Sequence, residues 1–367
     1  MTVRDEASTL ERSISSVAQL AERIIIVDTG SRDGSMAIVS RFPVCELHES
    51  KWPGDYGVAR NLPIQLLREQ MEFDSNDWIL SLDGDEILPK RTQDALKLAL
   101  QTDVDGYYLV KNHFTPAGWF ANRSLKLFRT NPHYKFRGSI CELVEQSIAE
   151  SGGKTATIKA YINDLGFLKS QQNIAERIGR YIIMLERSEM QQYNKLMYLS
   201  YFNALAGDYE KSLKVLGLAR KEHDDSYIDL QLACVHYASG ELDKAEAELL
   251  GIVDCRQSSE DSLFAASVVN KLGQLYSKMG LAKKAYEHYQ RSLGIYALDV
   301  NMANCAVLAM KLDDSISAAR FFGAALEEND FLSIVDFSAG CSAIDTFSEL
   351  DPTYSSVQGQ LKSLQKT

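Results

Sequence analysis

The chain has 367 residues, of which 45% are hydrophobic and 24% charged, and its formal net charge is −11. This is the composition of an ordinary globular protein of two domains, and the negative charge argues against a general nucleic-acid binder or a polybasic membrane anchor. The six cysteines are scattered without a C-x-x-C pair, which favours reduced thiols in a cytosolic protein, and no apolar run approaches the roughly 18 residues of a membrane-spanning helix.

The chain begins with the end of a strand. Residues 2–6 (TVRDE) are typical of a strand that runs into a turn. Ser8 then suits a helix N-cap, and Glu11, three residues later, completes the pattern of a capping box. Apolar residues at helical spacing predict that this helix continues to about Ala21.

A second strand ends in an acid. Residues 24–27 (IIIV) predict a buried strand, which Asp28 closes at the start of a polar turn rich in glycine and serine. A helix is predicted over residues 35–42. A strand, an acidic end, such a turn and a helix make a βα unit with a loop suited to a nucleotide. The alternative is that Asp28 only shapes its turn.

An arginine opens the next predicted helix. A short strand over residues 44–47 precedes a helix over residues 58–69, with Arg60 in its first turn. A basic residue there opposes the helix macrodipole, which is more easily tolerated if Arg60 faces an anion. The alternative is an exposed arginine that nearby acids such as Asp55 stabilise.

The chain is organised around an acidic motif that follows a fourth strand. Residues 78–82 (WILSL) predict a strand buried on both faces, in the middle of a mostly parallel sheet, and Asp83, Gly84 and Asp85 follow it. Ligands of open α/β sheets bind beyond the carboxyl ends of the strands. Two oxygen ligands so close together suit Mg²⁺ or Mn²⁺, which can bridge phosphate oxygens. The alternative is an Asp-Gly turn followed by helix-capping acids.

The remainder of this half mixes helix and strands. A helix is predicted over residues 88–100 and strands over 106–112, 124–129 and 157–162. The order predicts an α/β sandwich with a mixed sheet. The loop over residues 114–120 is rich in aromatic residues, which suits either stacking on a sugar or acceptor, or folding over the core.

Helical periodicity takes over from about residue 171. Gly207, Gly240 and Gly280 each separate two predicted helices, and a weaker copy of the pattern is centred on residues 312–314. The spacing of roughly 33 to 40 residues is that of helix-turn-helix repeats, and these segments resemble tetratricopeptide repeats. Such repeats stack into a concave surface that usually binds a partner; the alternative is a stabilising or dimerising appendage.

Four segments of the front half occur together in a known order. They are residues 3–6 (VRDE), 27–33 (VDTGSRD), 59–61 (ARN) and 83–86 (DGDE). Residues 1–168 thereby resemble the family-2 inverting glycosyltransferases, which have a GT-A fold. The closest subgroup adds tetratricopeptide-like helices, predicted here over residues 171–367. It includes bacterial enzymes that glycosylate peptides and relatives that build lipopolysaccharide core.

The resemblance implies a nucleoside-diphosphate sugar as donor and Mn²⁺ or Mg²⁺ as cofactor. It assigns donor binding to Val3, Arg4, Glu6, Asp28, Arg60 and Asp83. It also makes Asp85 the ligand of the divalent metal, with Asp83 touching the ribose or the metal. The metal neutralises the charge that develops on the leaving diphosphate.

Two positions depart from the subgroup. Its members commonly have His-Glu where this chain has Cys141-Glu142, and a histidine where this chain has Asp164. Glu142 is the first candidate for the general base; alternatively it is a loop acid paired with Arg137 or Lys135. Asp164 would replace the histidine as a further metal ligand. The departures leave open a different acceptor, altered metal use or an impaired enzyme.

The sequence therefore predicts a cytoplasmic, metal-dependent inverting glycosyltransferase. Its acceptor is expected to be a protein or peptide that the repeats present, or else a surface glycan or lipopolysaccharide core. Two rivals remain: an interaction protein with a decayed transferase domain, and a nucleotidyltransferase, whose Gly-rich basic loop is not seen. Because relatives carry more apolar residues before the first motif, we also expect a truncated chain or a misassigned start.

Overall fold

A computed structural model describes most of the chain: residues 1–70, 76–169, 171–255, 261–338 and 342–365. The chain divides into two compact units. The N-terminal unit comprises Met1–His113 and Ala121–Gly166, and the helical unit comprises Phe114–Phe120 and Phe167–Thr367. In the described part of the chain, no helix has both the length and the apolar character that crossing a membrane requires.

Four of the six cysteines are free thiols, as the sequence predicts: Cys45, Cys141, Cys234 and Cys305. Cys341 and the side chain of Cys255 lie outside the described residues.

The first sheet of the N-terminal unit is parallel. Its strands are β1 (Thr2–Val3), β2 (Ile24–Asp28) and β3 (Cys45–Glu49), in that spatial order. Every residue of β2 is buried, as expected of the central strand in a covered parallel sheet. The register sets Val3 opposite Asp28, so that the carboxyl ends of β1 and β2 meet at one edge.

The first helix begins one residue later than predicted. Helix α1 (Leu10–Val17) follows Thr9, and the structure shows no capping hydrogen bond from that side chain. The prediction of Ser8 as N-cap in a capping box with Glu11 was therefore wrong. Glu11 instead pairs with Arg41 at 3.0 Å, a partner that is distant in sequence. A short helix α2 (Ser35–Val39) follows β2.

The second sheet is mixed, as predicted. Its strands are β4 (Trp78–Leu80), β5 (Glu86–Ile87), β6 (Gly106–Thr115), β7 (Gly118–Arg129) and β8 (Thr155–Asp164). The spatial order is β4-β7-β6-β8-β5. β4 runs antiparallel to β7, β5 runs antiparallel to β8, and β6 runs parallel to β8.

The strand before the acidic motif differs from its prediction. β4 is an end strand of this sheet, antiparallel and partly exposed, rather than a buried strand in the middle of a parallel one. Trp78 stacks on Tyr107 with ring centroids 5.8 Å apart, and the guanidinium of Arg129 lies 4.3 Å from the centre of its ring. An apolar run cannot reveal its direction in a sheet, because its partner strand comes much later in the chain.

Three further helices complete this unit: α3 (Tyr56–Gln70), α4 (Lys90–Ala99) and α5 (Glu145–Glu150). Helix α4 packs on β8, where the Thr92 hydroxyl donates to the Tyr161 carbonyl at 3.0 Å and accepts from its N–H at 2.7 Å. One apolar core joins side chains of both sheets with those of α1, α2 and α4, and it includes Val3, Ile14, Ile26, Leu82, Leu96, Leu109 and Ile162. Ile64 of α3 and Ile148 of α5 belong to a second apolar cluster, with Leu125 and Phe128 of β7.

The helical unit is built of antiparallel helix pairs. Its helices are α6 (Gln171–Arg187), α7 (Gln192–Leu205), α8 (Tyr209–Glu222), α9 (Ser226–Ser239), α10 (Leu242–Cys255), α11 (Ser262–Lys278), α12 (Ala282–Ile295), α13 (Asp299–Lys311), α14 (Ser315–Glu328) and α15 (Tyr354–Leu364). The pairs α7/α8, α9/α10, α11/α12 and α13/α14 coincide with the four predicted repeats. The prediction of an α/β unit followed by tetratricopeptide-like helices is thus confirmed.

The turn inside each pair has the same backbone conformation. Gly207, Gly240 and Gly280 have φ angles of 82°, 88° and 78°, and Asp313 takes the corresponding place with φ of 60°. This left-handed region suits glycine best. The fourth repeat therefore keeps the geometry of the others although it lacks the glycine that marks them in sequence.

Asp313→Gly is expected to stabilise the helical unit by about 0.5–1 kcal/mol, because glycine adopts a left-handed helix end without a Cβ penalty. Gly280→Ala is the matched opposite change, since an added Cβ there would meet open space and only the φ angle is strained. We expect it to cost about 1 kcal/mol. Denaturant unfolding of the two variants and wild type measures both; equal midpoints would contradict the conformational argument.

The aromatic segment at residues 114–120 is buried in the helical unit. It is a tight hairpin between β6 and β7 rather than a loop, and Phe114 and Trp119 are fully buried. Their rings stack 5.4 Å apart, Trp119 also stacks on Phe337, and its indole N–H donates to Asp299 at 3.3 Å. Of the two readings of this segment, folding over a core is correct.

Candidate functional site

Asp28 lies where two parallel strands end. Its carboxylate is buried and accepts hydrogen bonds from the N–H groups of Gly30, at 3.1 Å, and Ser31, at 3.0 Å, and from the Ser31 hydroxyl. The residue that was predicted to bind the donor therefore shapes the turn after β2. This geometry matches the alternative interpretation of Asp28 and leaves the residue at the edge formed by the carboxyl ends of β1 and β2.

The loops after β1 and β2 are joined by hydrogen bonds. The N–H of Asp5 donates to the Ser31 hydroxyl at 2.9 Å, and the Asp5 carboxylate accepts from the N–H of Arg32 at 2.7 Å. The N–H of Glu6 donates to the Ser35 hydroxyl at 2.9 Å. Asp5 has a φ of 55°, which these bonds hold in place. The two predicted donor loops thus form one rigid edge.

The acidic motif packs against that same edge. A Cβ added to Gly84 would lie 3.0 Å from Cγ of Glu6 and 3.1 Å from Cγ1 of Val3. The glycine therefore allows the Asp-Gly-Asp turn to approach the end of β1. Val3 is buried at this contact, whereas the Arg4 side chain is half exposed at the rim. The structure brings Val3, Glu6 and the acidic motif together as the resemblance implies.

Arg60 joins two of the predicted site acids. Its Nη1 donates to Oδ1 of Asp83 and its Nε to Oε1 of Glu142, both at 2.6 Å. Its guanidinium lies 5.3 Å from the ring centre of Phe136. Burial opposes the charge on Arg60, but Asp83 and Glu142 outweigh it and raise the arginine pKa. Arg60 therefore faces two carboxylates of the chain itself and is not the exposed arginine of the alternative interpretation.

The alternative partners have other roles. Asp55 caps α3 by accepting from the N–H of Val58 at 2.7 Å, instead of pairing with Arg60. Arg137 pairs with Glu150 rather than with Glu142. The interpretation of Glu142 as a loop acid does not describe its surroundings, because its partner Arg60 lies on α3, distant in sequence, and also binds Asp83 of the acidic motif.

A buried ion network lies under the acidic motif. The Glu86 carboxylate is fully buried, and its oxygens lie 2.8 Å from Nζ of Lys126 and 2.7 Å from Nζ of Lys111. Glu86 also accepts from the N–H of Asp83 at 2.9 Å. The sequence analysis did not single out Lys111 and Lys126. The available signal was a lysine next to apolar residues in each of two strands, because a lysine is rarely buried without a partner.

The network controls the charge of both outer acids. Burial disfavours the Asp83 carboxylate, yet Arg60 and Lys126 hold its pKa well below its usual range. Asp164 lies 2.9 Å from Lys111 and 3.1 Å from Nδ1 of His113, and these neighbours likewise lower its pKa against the effect of burial. Both carboxylates therefore stay ionised at neutral pH.

The predicted metal ligands do not form a ready-made set. Within the residues that the structure describes, no group of three or more His, Cys, Asp or Glu side chains is arranged to hold an ion. Asp83 and Asp164 are engaged by cations, while Asp85 is partly exposed and its carbonyl accepts from the N–H of Leu165 at 2.9 Å. Mg²⁺ in phosphate chemistry commonly uses one or two carboxylates, substrate phosphates and water, which Asp85 suits.

Cys141 is poorly suited to bind a metal as a thiolate. Burial raises the pKa of its thiol to about 12, so the group is neutral at physiological pH. Its φ of 51° bends the chain directly before Glu142. The residue that replaces the subgroup's histidine therefore helps to shape the loop that presents Glu142.

Helix α3 is docked onto the Glu142 loop by main-chain contact. The N–H of Tyr56 donates to the carbonyl of Ser139 at 3.0 Å, and a Cβ on Gly57 would lie only 2.4 Å from the carbonyl oxygen of Gly138. Only glycine permits this approach. The contact sets the start of the helix, and with it Arg60, against the loop that carries Glu142.

Gly57→Ala is therefore expected to destabilise the protein by about 1–3 kcal/mol, since the backbone must shift to relieve the overlap. The shift should also separate Arg60 from Glu142 and weaken nucleotide binding. Gly34→Ala is the control, because its Cβ would make an ordinary 3.8 Å contact with Ala7, and we expect a cost below about 1 kcal/mol. Urea unfolding measures both; equal costs would show that the close approach does not matter.

Parts of the chain are similar to a known protein family and to individual proteins. Residues 1–165 match the family model described as Glycosyl transferase family 2. A TPR repeat-containing protein of Synechococcus elongatus is 35% identical over 149 residues, which are 40% of this chain and 35% of that protein. The SPbeta prophage-derived glycosyltransferase SunS of Bacillus subtilis is 25% identical over 50% of this chain and 43% of its own length.

Two further similarities complete the comparison. The lipopolysaccharide core biosynthesis glycosyltransferase LpsC of Rhizobium meliloti is 30% identical over 40% of this chain and 55% of its own length. The chain thus spans between 35% and 55% of the length of these three relatives. Among solved structures, MamA from Desulfovibrio magneticus matches 43% of this chain and 92% of its own, with 18% identity and a TM-score of 0.34.

Proposed function

Because residues 1–165 match the model of glycosyl transferase family 2, we propose that the chain transfers a sugar from a nucleoside-diphosphate sugar to an acceptor, with inversion at the anomeric carbon. One observation carries the proposal: a single guanidinium, that of Arg60, holds Asp83 of the acidic motif on one side and Glu142 on the other. Arg60 would thus connect Asp83, which is proposed to bind the donor, with Glu142, which is proposed to deprotonate the acceptor.

The donor is proposed to bind at the edge formed by the loops after β1 and β2. Val3, Glu6 and Asp28 line or support this edge, and Arg4 lies exposed at its rim. Asp83 stays ionised and directly precedes Gly84, which lies against this edge, and we propose that its carboxylate binds the hydroxyls of a ribose. Arg60 supplies the positive charge that a base or a diphosphate attracts.

Asp85 is proposed to hold Mn²⁺ or Mg²⁺. Asp83 is two residues away in sequence, and Asp164 is paired in the sheet with Glu86, the residue after Asp85. In the described part of the chain these acids do not form a preformed ligand set. Such an ion, when bound, stabilises the negative charge on the departing diphosphate. The substrate's phosphate oxygens would complete its coordination, since Mg²⁺ rarely relies on protein ligands alone.

Glu142 is proposed to act as the general base. Its carboxylate takes the proton from the acceptor's nucleophilic group as that group attacks the anomeric carbon. The bond between that carbon and the diphosphate oxygen breaks on the opposite face, and the electron pair leaves with the diphosphate. Arg60 orients Glu142 through a 2.6 Å hydrogen bond and leaves its second carboxylate oxygen for the proton.

The acceptor is proposed to be a protein or peptide, with a surface glycan or lipopolysaccharide core as the alternative. Titration of UDP and GDP into the protein, each with and without Mn²⁺, tests the donor half of the proposal by calorimetry. We expect saturable, metal-dependent binding of one nucleotide. Absence of binding for both, in a protein whose circular dichroism shows it folded, would count against a working donor site and favour an interaction protein.

A further inference from the structure

A row of polar side chains in the helical unit forms hydrogen bonds with the main chain of residues 347–351. The amides of Asn270 and Asn304 both donate to the carbonyl of Glu349 at 2.8 Å. Asn304 also accepts from the N–H of Asp351 at 2.7 Å. Gln274 donates to the carbonyls of Ser348, at 3.0 Å, and Leu350, at 2.5 Å.

The fourth member of the row is Lys271, whose Nζ donates to the carbonyl of Phe347 at 3.1 Å and to that of Ser348. We call Asn270, Lys271, Gln274 and Asn304 the amide row. Three of its members lie on α11 and one on α13, the first helices of successive repeats. Every one of these bonds to residues 347–351 goes to backbone atoms, so the row recognises a main chain rather than a particular side chain.

The amide row is buried, so its polar groups need hydrogen-bond partners inside the protein. Its four side chains are at most 6% exposed. Asparagine is a poor residue inside a helix, and a buried amide without a partner costs about 1–3 kcal/mol. A packed core would be served better by apolar residues. Within the row, the Asn304 amide donates to Oδ1 of Asn270 at 2.9 Å. The other donors of the row depend on the backbone of residues 347–351.

Two side chains of the bound segment, Phe347 and Leu350, enter apolar surroundings, whereas Glu349 and Asp351 accept hydrogen bonds from the hydroxyls of Ser267 and Tyr289. Phe347 stacks near Tyr201 with ring centroids 4.8 Å apart. Leu350 is buried, and its Cβ would lie 2.6 Å from a Cβ added to Gly118. All residues from Ile344 to Asp351 are buried. The segment therefore has both elements of a peptide ligand: a backbone that is hydrogen-bonded and side chains that act as anchors.

We propose that the amide row is a peptide-binding site of the repeats and that residues 344–351 are its resident, intramolecular ligand. The tethered segment excludes external peptides, because a linked ligand acts at about millimolar effective concentration. A polypeptide acceptor must then be recognised on another surface while this segment is in place. The inference concerns the helical unit and does not require that the transferase be active.

The test uses the full chain with Phe347→Asp and Leu350→Asp together. Burying two charges in apolar surroundings is costly, so the segment should leave the row. The probe is a fluorescein-labelled peptide that copies residues 342–353 (SAIDTFSELDPT). Fluorescence anisotropy should show saturable binding to the double variant and at least about tenfold weaker binding to wild type. Adding Asn304→Ala to the double variant should weaken binding again by about tenfold or more.

Two results would overturn the inference. One is equal peptide binding by wild type and the double variant; the other is no binding by a double variant that keeps wild-type helicity and nucleotide binding. If the double variant does not fold, amide hydrogen exchange in the single variant Gln274→Ala tests whether the segment depends on the amide row. We expect at least about tenfold faster exchange within residues 344–351 and no change in α4 of the N-terminal unit. Unchanged exchange in the segment would refute its dependence on the row. Nucleotide titration reports separately on the proposed transferase.

Discussion

Asp85→Ala is expected to abolish the metal-dependent part of nucleotide binding and to lower sugar transfer by about a thousandfold. A bound divalent ion contributes several kcal/mol to stabilising the charge on a leaving diphosphate, and about 1.4 kcal/mol corresponds to a tenfold change in rate. Asp85 lies partly exposed beside the edge where the donor is proposed to bind. Calorimetry with and without Mn²⁺, and release of nucleoside diphosphate from the sugar donor, measure the two effects.

Asp94→Ala is the matched control, because Asp94 lies exposed on α4 and has only Lys97, one turn away, within ion-pair distance among the described contacts. Its loss should leave binding and transfer unchanged. Circular dichroism must show both variants folded. If Asp85→Ala keeps wild-type affinity and its dependence on Mn²⁺, Asp85 is not the metal ligand and the proposed donor site must be revised.

Glu142→Gln is expected to lower kcat by about 10²–10⁴-fold, which is the usual contribution of a general base, while nucleotide affinity stays nearly constant. Glutamine keeps an oxygen that can accept from Nε of Arg60, so the guanidinium that also holds Asp83 should not move. Steady-state transfer and nucleotide titration together separate loss of the base from loss of the donor site.

The control for that change is Glu150→Gln. Glu150 has the same side chain but pairs with Arg137 on the surface, so its substitution should have little effect on kcat. A purely structural Glu142 would give a different pattern, in which nucleotide affinity falls along with kcat because Arg60 loses its alignment. Wild-type kcat in Glu142→Gln would exclude it as the base.

Local signals account for what could be predicted from the sequence. The βα order of the N-terminal unit follows from short apolar runs that end in Asp28 and Asp83, and the repeats follow from Gly207, Gly240 and Gly280. Each is a property of a few adjacent residues. The same reasoning misplaced the cap of α1 and the surroundings of β4, because Glu11 and Trp78 have partners far along the chain.

Other features depend on packing between distant segments. The sequence nominated Arg60, Asp83 and Glu142 separately, but only the tertiary structure shows one guanidinium between two carboxylates. The approach of Gly57 to the Gly138 carbonyl, which aligns them, has no signature in either segment alone.

By itself, then, the sequence determined the two-part architecture, the acids at the strand ends and the rhythm of the repeats. The tertiary structure decided which charged residues pair, as Lys111 and Lys126 do with the buried Glu86. It also decided which backbone segment binds to the amide row. The physical reason is that strand and helix preferences act over a few residues, whereas a buried charge or amide is stable only beside a specific partner, which long-range folding alone brings to it.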